Sequence, residues 1–159
     1  MRYDDDCFKS QTLKATATNM ATQIQFLNRR KRGSVRIDTV MSRGSSGCSL
    51  ASAVLALSDI PLSHIYVRKP HEKSHGNSEY AGSIGDNKKA IIVDDVVSTG
   101  DTVKAVLDQA FRMGIKVVAI LTGGCRCASD TLRQECDLPV YPCGIGSVLV
   151  ERSGDGKLQ

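Results

Sequence analysis

The sequence predicts a single α/β domain in which a central parallel sheet carries helices on both faces. Three observations predict it. Segments that read as strands recur at residues 36–41, 63–69, 90–93 and 115–121, the last two near-continuously apolar. Helical patterns with one apolar face lie between them at 48–57 and 103–112. The chain has 159 residues, enough for one domain with a real core, and no stretch of it reads as a second domain. Strands buried on both faces and alternating with helices are the pattern of a parallel sheet.

Taken in order, the first element is a helix over 13–27, where Leu13, Ala17, Met20, Ile24 and Leu27 repeat at steps of four and three. Arg29, Arg30, Lys31 and Arg32 follow, then Gly33. Cations in a last turn and a glycine just beyond it suit a helix C-terminus, and this explains the basic run better than a nucleic-acid patch does. Residues 36–41 form a strand and 42–47 a loop. A helix over 48–57 sets Leu50, Val54 and Leu57 on one side, and 63–69 is the next strand. Residues 70–89 are long, polar and rich in Gly, Ser, Lys and His, as functional lids are. After the strand at 90–93 and a loop at 98–102, a helix places Val103, Val106, Leu107, Ala110 and Phe111 on one face. Gly114 stops it, 115–121 is a strand, and a terminal strand is expected at 147–151.

Bulk properties exclude several classes. Apolar residues are 41% and charged residues 24%, ordinary for a globular protein. Aromatics are 4% with no Trp, too few for base-stacking platforms. The net charge of +4 suits a small anionic ligand and does not argue for nucleic acid. No apolar run has the length of a membrane span, and the acidic N-terminus carries no secretory signal, so a cytoplasmic protein is expected. Cys7, Cys48, Cys125, Cys127, Cys136 and Cys143 show no paired CxxC knuckles and are expected as free thiols, not as a zinc site.

In parallel sheets ligands bind beyond the carboxyl ends of the strands, where loops 42–47, 70–88 and 98–102 must meet. The stretch AIIVDDVVSTGDT, residues 90–102, holds the main chemistry. Ser98, Thr99, Gly100, Asp101 and Thr102 lie between a strand and a helix N-terminus. Unpaired backbone N–H groups, hydroxyls and a glycine there make a site for one phosphate. The Walker lysine pattern is missing, which argues against a P-loop NTPase. Asp94 and Asp95 stand beside this loop and would repel a phosphate unless they face sugar hydroxyls or a magnesium ion. Together the acids and the loop describe a phosphorylated sugar.

AIIVDDVVSTGDT resembles the 13-residue PRPP signature of type I phosphoribosyltransferases: four apolar residues, two acids, two apolar residues and a hydroxyl-rich glycine loop. Ser42-Arg43-Gly44 resembles the pyrophosphate loop of the adenine members. Arg68-Lys69, then Lys73, His75 and Gly76, resembles the flexible loop of the orotate members, with one extra residue in the gap. Val67-Arg68-Lys69-Pro70 is similar to the adenine members, without their following GKLP segment, and Ala81-Gly82-Ser83 leans to the orotate members. The likeness covers about residues 35–122.

The resemblance implies the Rossmann-like type I fold, with a small hood and a long flexible lid. It implies magnesium-dependent transfer of 5-phosphoribose from PRPP to a nucleobase nitrogen, with release of pyrophosphate. Asp94 and Asp95 would hold the ribose hydroxyls and magnesium, directly or through water. Val96, Val97 and the loop 98–102 would complete the PRPP site. Arg43, Lys69, Lys73 and His75 would stabilise the departing pyrophosphate, Lys73 and His75 as catalytic residues with Asp94 and Asp95; Gly44 and Arg68 would also bind PRPP, and the lid would hinge at Gly76, Gly82 and Gly85. An orotate or pyrimidine-like acceptor is favoured, met by Arg126; the alternatives are a purine acceptor or a PRPP-binding regulatory module. A homodimer sharing the lid is implied, with no nucleic acid or membrane partner. His64 is expected to be structural and His71 to have no role.

Overall fold

In the computed structural model, the described residues are 10–30, 33–72, 76, 78–97, 99–125 and 134–144. The elements are α1 (Ser10–Arg30), β1 (Thr39–Arg43), α2 (Ser45–Leu57), β2 (Ser63–Val67), β3 (Tyr80–Gly82), β4 (Lys89–Val97), α3 (Asp101–Arg112), β5 (Lys116–Cys125) and β6 (Val140–Pro142). They build one six-stranded sheet in the order β3-β2-β1-β4-β5-β6. All neighbours are parallel except β2 and β3.

The period-2 alternation of the strands divides the core into two layers. Val40, Ile91, Val93, Ala119 and Leu121 meet α1 and α2 through Ala17, Met20, Ile24, Leu50 and Val54. Met41, Ile65, Ile92, Val97 and Ile120 meet α3 through Val103, Val106 and Ala110. The helices thus cover both faces, as the apolar periodicity predicts. At the amino end, Ile37 N–H donates to Asn28 Oδ1 at 2.8 Å while Asn28 Nδ2 donates to Ile37 O at 3.2 Å. This paired amide ties the end of α1 to the approach of β1. Arg30 lies 5.3 Å from the Phe26 ring centroid, so part of the basic run packs on its own helix.

Several sequence expectations are corrected. The strand at 36–41 begins only at Thr39 and runs on through Ser42 and Arg43, and α2 starts at Ser45, so no open 42–47 loop exists. The 70–89 segment is interrupted by β3, which pairs with the edge of β2 (Tyr66↔Ala81, Val67↔Tyr80). Three residues are too few for a visible period, and pairing with a distant strand supplies what local pattern cannot. Gly82 and Gly85 are therefore not hinges. Gly82 pairs with Ile65, and the Gly85 N–H donates to Thr39 Oγ1 at 3.0 Å.

Leu57 is 39% exposed and Phe111 is 87% exposed, against the expectation that both join the core. At 100° per residue Phe111 lies about 80° round α3 from Val103, on one flank of the stripe. The buried face extends the other way, to Gln109. Leu57 is the last residue of α2, where the chain turns away. The expected strand at 147–151 and much of any hood fall outside the described residues. Among the described residues the edge beside β5 is taken by β6. Cys48, Cys136 and Cys143 are free thiols, and no described group of three or more His, Cys, Asp or Glu could hold a metal. No described helix is long and apolar enough to cross a membrane.

Candidate functional site

The chain leaves β1 towards β2 through α2 and leaves β4 towards β5 through α3. These two crossovers run in opposite directions along the sheet and on opposite faces. The reversal lies between β1 and β4, the place where an open α/β sheet forms its crevice. Paired positions between these strands stop at Met41↔Ile92. Beyond that pair, Ser42-Arg43-Gly44 and Val93-Asp94-Asp95 open away from each other.

Both helices that follow begin at this crevice, and both begin in the same way. Gly44 (φ 79°) precedes α2 and Gly100 (φ 84°) precedes α3, and neither N-terminus has a side-chain cap. The left-handed region costs an L-residue roughly 1–2 kcal/mol, so glycine is the fitting residue at both turns. Uncapped first-turn amides and the positive end of the helix dipole favour an anion at each. The Thr99 hydroxyl donates to Asp101 Oδ2 at 2.9 Å, which turns this first-turn carboxylate onto Thr99. The Asp101 main-chain N–H in turn donates to Thr99 Oγ1 at 3.4 Å, so these two residues are bonded to each other at the start of α3.

The two acids lie within β4, not after it. Strand β4 continues to Val97 because β5 is long enough to pair with it throughout (Asp94↔Thr122, Val97↔Cys125). Val97 therefore packs in the core beneath α3, and only its backbone can face a ligand. Asp94 is 6% exposed and Asp95 is half-buried. Burial first, then the hydrogen bond and charge of the Asp95 side chain, push the Asp94 carboxyl up to about 8. A Cβ on Gly47 would lie 3.5 Å from Val93 O and 3.8 Å from Asp94 Oδ1, so α2 packs closely against the strand that carries the acids.

Arg43, Arg68, Lys69, His71 and Arg112 line a cavity of about 710 Å³ beside the carboxyl ends of β1 and β2, together with the acids Glu72, Glu79 and Asp108. The Nε atoms of Arg43 and Arg68 are buried and have no hydrogen-bond partner among the described residues. A buried guanidinium N–H without an acceptor is costly. Lys69 Nζ reaches to 3.9 Å from the Cβ position of Gly44, placing a cation over the turn into α2. A larger cavity of about 800 Å³ opens at the opposite end of the sheet, near Asn28, Arg36, Asp59 and Asn87. It contains none of the sequence-predicted site residues, and its Asn28, Asn87 and Asp38 side chains are already hydrogen-bonded to neighbours. The chemistry favours the smaller cavity, which adjoins the crevice through Arg43 and does not itself include Asp94, Asp95 or the turn into α3 in its lining.

Of the sequence-predicted residues, the structure gathers Arg43, Gly44, Arg68 and Lys69 at the ends of β1 and β2. It sets Asp94, Asp95, Val96, Val97, Thr99, Gly100, Asp101 and Thr102 along β4 and the turn into α3. Lys73, His75, Ser98 and Arg126 lie outside the described residues. His64, expected to be structural, lies with Nε2 2.7 Å from Ser42 Oγ. Sequence reasoning missed Tyr66, Glu72, Gln109 and Arg112. Arg112 donates to Gln109 Oε1 at 2.9 Å and pairs with Glu79 at 3.4 Å, linking α3 to the segment before β3. No local pattern marks such contacts, because they depend on which elements the fold brings together.

The family profile described as phosphoribosyl transferase domain matches residues 11–122. An "HGPRTase-like protein 1" of Haloquadratum walsbyi is 30% identical over 94 residues, which are 52% of this chain and 49% of that protein. The chain thus spans about half the length of the first of these curated relatives. An orotate phosphoribosyltransferase of Staphylococcus aureus is 29% identical over 157 residues, 96% of this chain and 75% of the relative. Among solved structures, an orotate phosphoribosyltransferase of Francisella tularensis superimposes with a TM-score of 0.63 at 19% identity, covering 86% of this chain and 67% of that one. A Mycobacterium tuberculosis orotate phosphoribosyltransferase in complex with PRPP does so with a TM-score of 0.58 at 17% identity, covering 86% and 90%. A profile match over most of the chain, on a sheet whose crevice is flanked by two glycine-led helix starts and an acid pair, places this chain in the phosphoribosyl transferase domain family.

Proposed function

We propose that this chain transfers the 5-phosphoribosyl group of PRPP to a ring nitrogen of a nucleobase, with release of pyrophosphate. One observation carries the reading. Two uncapped, glycine-led helix N-termini approach one crevice from opposite faces of the sheet, with Asp94 and Asp95 on the strand between β1 and β5. That arrangement suits a ligand with an anion at each end and hydroxyls between them, as PRPP has.

In this reading the turn at 98–102 takes the 5-phosphate and the carboxylates take the ribose hydroxyls. Arg43, Gly44, Arg68 and Lys69 take the pyrophosphate, and Lys73 and His75 add charge from the lid. The C1–O bond breaks and its electron pair leaves with pyrophosphate. The nitrogen lone pair forms the C1–N bond, and the nitrogen's proton passes to solvent. The cations stabilise charge on the leaving group, and the acid pair lies beside the oxocarbenium-like sugar.

Asp94 and Asp95 are two carboxylates without a third protein ligand in the described cluster, which fits magnesium shared with substrate oxygens and water. When bound there, magnesium would neutralise pyrophosphate charge. Orotate is the favoured acceptor, supported by the near full-length S. aureus relative. The HGPRTase-like relatives favour hypoxanthine or guanine as the second reading. The working unit in this proposal is a homodimer sharing its lids.

The test is pyrophosphate release from PRPP and magnesium with orotate, uracil, adenine, hypoxanthine, guanine, xanthine or nicotinamide. Release with orotate, lost in Asp94→Asn and Asp95→Asn, is expected. Release with a purine alone would move the acceptor to the second reading. Tight PRPP binding with no release from any base would overturn the transferase and leave a regulatory module.

A further inference from the structure

We propose that Tyr66 and Glu72 are positioning residues that hold the Lys69 ammonium over the Gly44 turn at the start of α2. The inference rests on the reading of Lys69 as a pyrophosphate ligand and assigns two residues that reading does not use.

The Tyr66 hydroxyl lies 2.8 Å and 3.0 Å from the two carboxylate oxygens of Glu72, to which it donates. Glu72 Oε2 also accepts the Lys69 main-chain N–H at 3.0 Å. The Glu72 N–H in turn donates to Lys69 O at 3.0 Å. Both main-chain polar groups of Lys69 are therefore bound to one residue. Pro70 follows Lys69 with its φ already restricted, which stiffens the turn further. The turn is thus closed on Glu72, and Glu72 is anchored to β2 through Tyr66.

From this fixed backbone the lysine side chain reaches across to β1. Its Cε and Nζ stand 3.8 Å and 3.9 Å from where a Cβ on Gly44 would be. Tyr66 pairs with Ser42 in the β1–β2 ladder, two residues before Gly44. The same phenol thus belongs to the strand pair that aims both the lysine and the turn it covers.

Glu72 would otherwise be a liability. A free carboxylate in a cavity lined by Arg43, Arg68 and Lys69 would compete with an anionic ligand for these cations. Here its oxygens are engaged by a phenol and an amide. The Lys69 amide first, then Tyr66, hold the Glu72 carboxyl below the usual range, so it stays an acceptor in this role.

The test uses the full chain and two readouts. The first is calorimetric binding of magnesium pyrophosphate to wild type, Tyr66→Phe, Glu72→Gln, Glu72→Ala, Lys69→Ala and the Tyr66→Phe/Lys69→Ala double variant. Loss of one charge-assisted hydrogen bond should weaken binding about threefold to tenfold in Tyr66→Phe. Glu72→Gln keeps an oxygen for the Lys69 N–H and should retain more affinity than Glu72→Ala. The double variant should bind no more weakly than Lys69→Ala, since a positioning residue has nothing left to position.

The second readout is the rate of Lys69 acylation by acetic anhydride, followed by peptide mass spectrometry. It should rise in Tyr66→Phe while that of exposed Lys116 does not change. Additive losses in the double variant, or a Lys69 rate equal in wild type and Tyr66→Phe, would overturn the proposal. Altered Lys69 labelling in a protein that binds no magnesium pyrophosphate would support the clamp and overturn the phosphoribosyl reading instead.

Discussion

The Asp95 main-chain N–H donates to Asp94 Oδ1 at 3.0 Å, so the buried acid of the pair is held by the backbone of its half-buried neighbour. That single bond does not offset burial, and the carboxyl titrates near 8 in place of 3.8. The value is raised on folding. The stability Asp94 contributes is therefore complete below 3.8 and is lost as pH rises through about 8.

Asp94→Asn should therefore stabilise the ligand-free protein at alkaline pH. Asparagine keeps an N–H donor for Asp95 and has no charge to bury. Melting at pH 8.5 should rise by about 3–8 °C over wild type, and the gap should close towards pH 4. Equal melting curves at pH 8.5 would show that Asp94 is not a buried acid. The same variant should lose at least about tenfold in PRPP-dependent pyrophosphate release.

Ser42 and His64 give an acid-side counterpart. Ser42 is fully buried, and burial lowers the His64 pKa below 6.5, so the folded ring is neutral. The unfolded chain takes up the proton first as pH falls. The stability is therefore present above 6.5 and is lost as pH drops from there through the folded value. Urea unfolding of His64→Gln should show less loss between pH 6.5 and 5 than wild type. Ser42→Ala, which removes the ring's partner, should cost about 1 kcal/mol at pH 7. Parallel pH profiles for His64→Gln and wild type would show that His64 does not carry the effect.

Gly100→Ala tests the phosphate turn. Its φ of 84° costs an L-residue about 1–2 kcal/mol, visible as lower stability to urea. The strain also tilts the first amides of α3, so PRPP affinity should fall by about tenfold or more. Wild-type affinity in this variant would move the 5-phosphate away from α3.

Phe111→Ser should alter stability by no more than about 0.5 kcal/mol, because the ring is 87% exposed. Leu50→Ala, at 2% exposure under α1, should cost about 2–5 kcal/mol. A large loss in Phe111→Ser would mean that something covers the ring in solution.

The PRPP-like run was legible because its parts are neighbours in the chain. The apolar run, the acids, the turn glycine and the first residues of α3 lie within residues 90–102, and each owes its role to short-range geometry. The same holds for the alternation of strands and helices, since period and turn chemistry are set within a few residues. The stripe of α1 through Met20 and Ile24 and the core positions of β4 were read correctly for this reason.

Other features had no local signal. Phe111 and Val103 fit one broad helical stripe by spacing, and only which flank of α3 packs on the sheet separates the exposed ring from the buried Val103. Strand β3 exists because the edge of β2 lies open to it. Asp94 titrates near 8 because α2 packs against it through Gly47, forty-seven positions earlier, and Asp95 lies beside it. The sequence by itself determined the sheet-and-helix order and the turn into α3, because those follow from contacts between near neighbours. That α2 starts at the same crevice, that Arg43 and Arg68 line one cavity while their Nε atoms are buried without a partner among the described residues, and that Glu72, anchored by Tyr66, binds the Lys69 backbone came only with the folded chain. Each of these depends on burial and on distances between residues far apart in the chain, which exist only once the strands have paired.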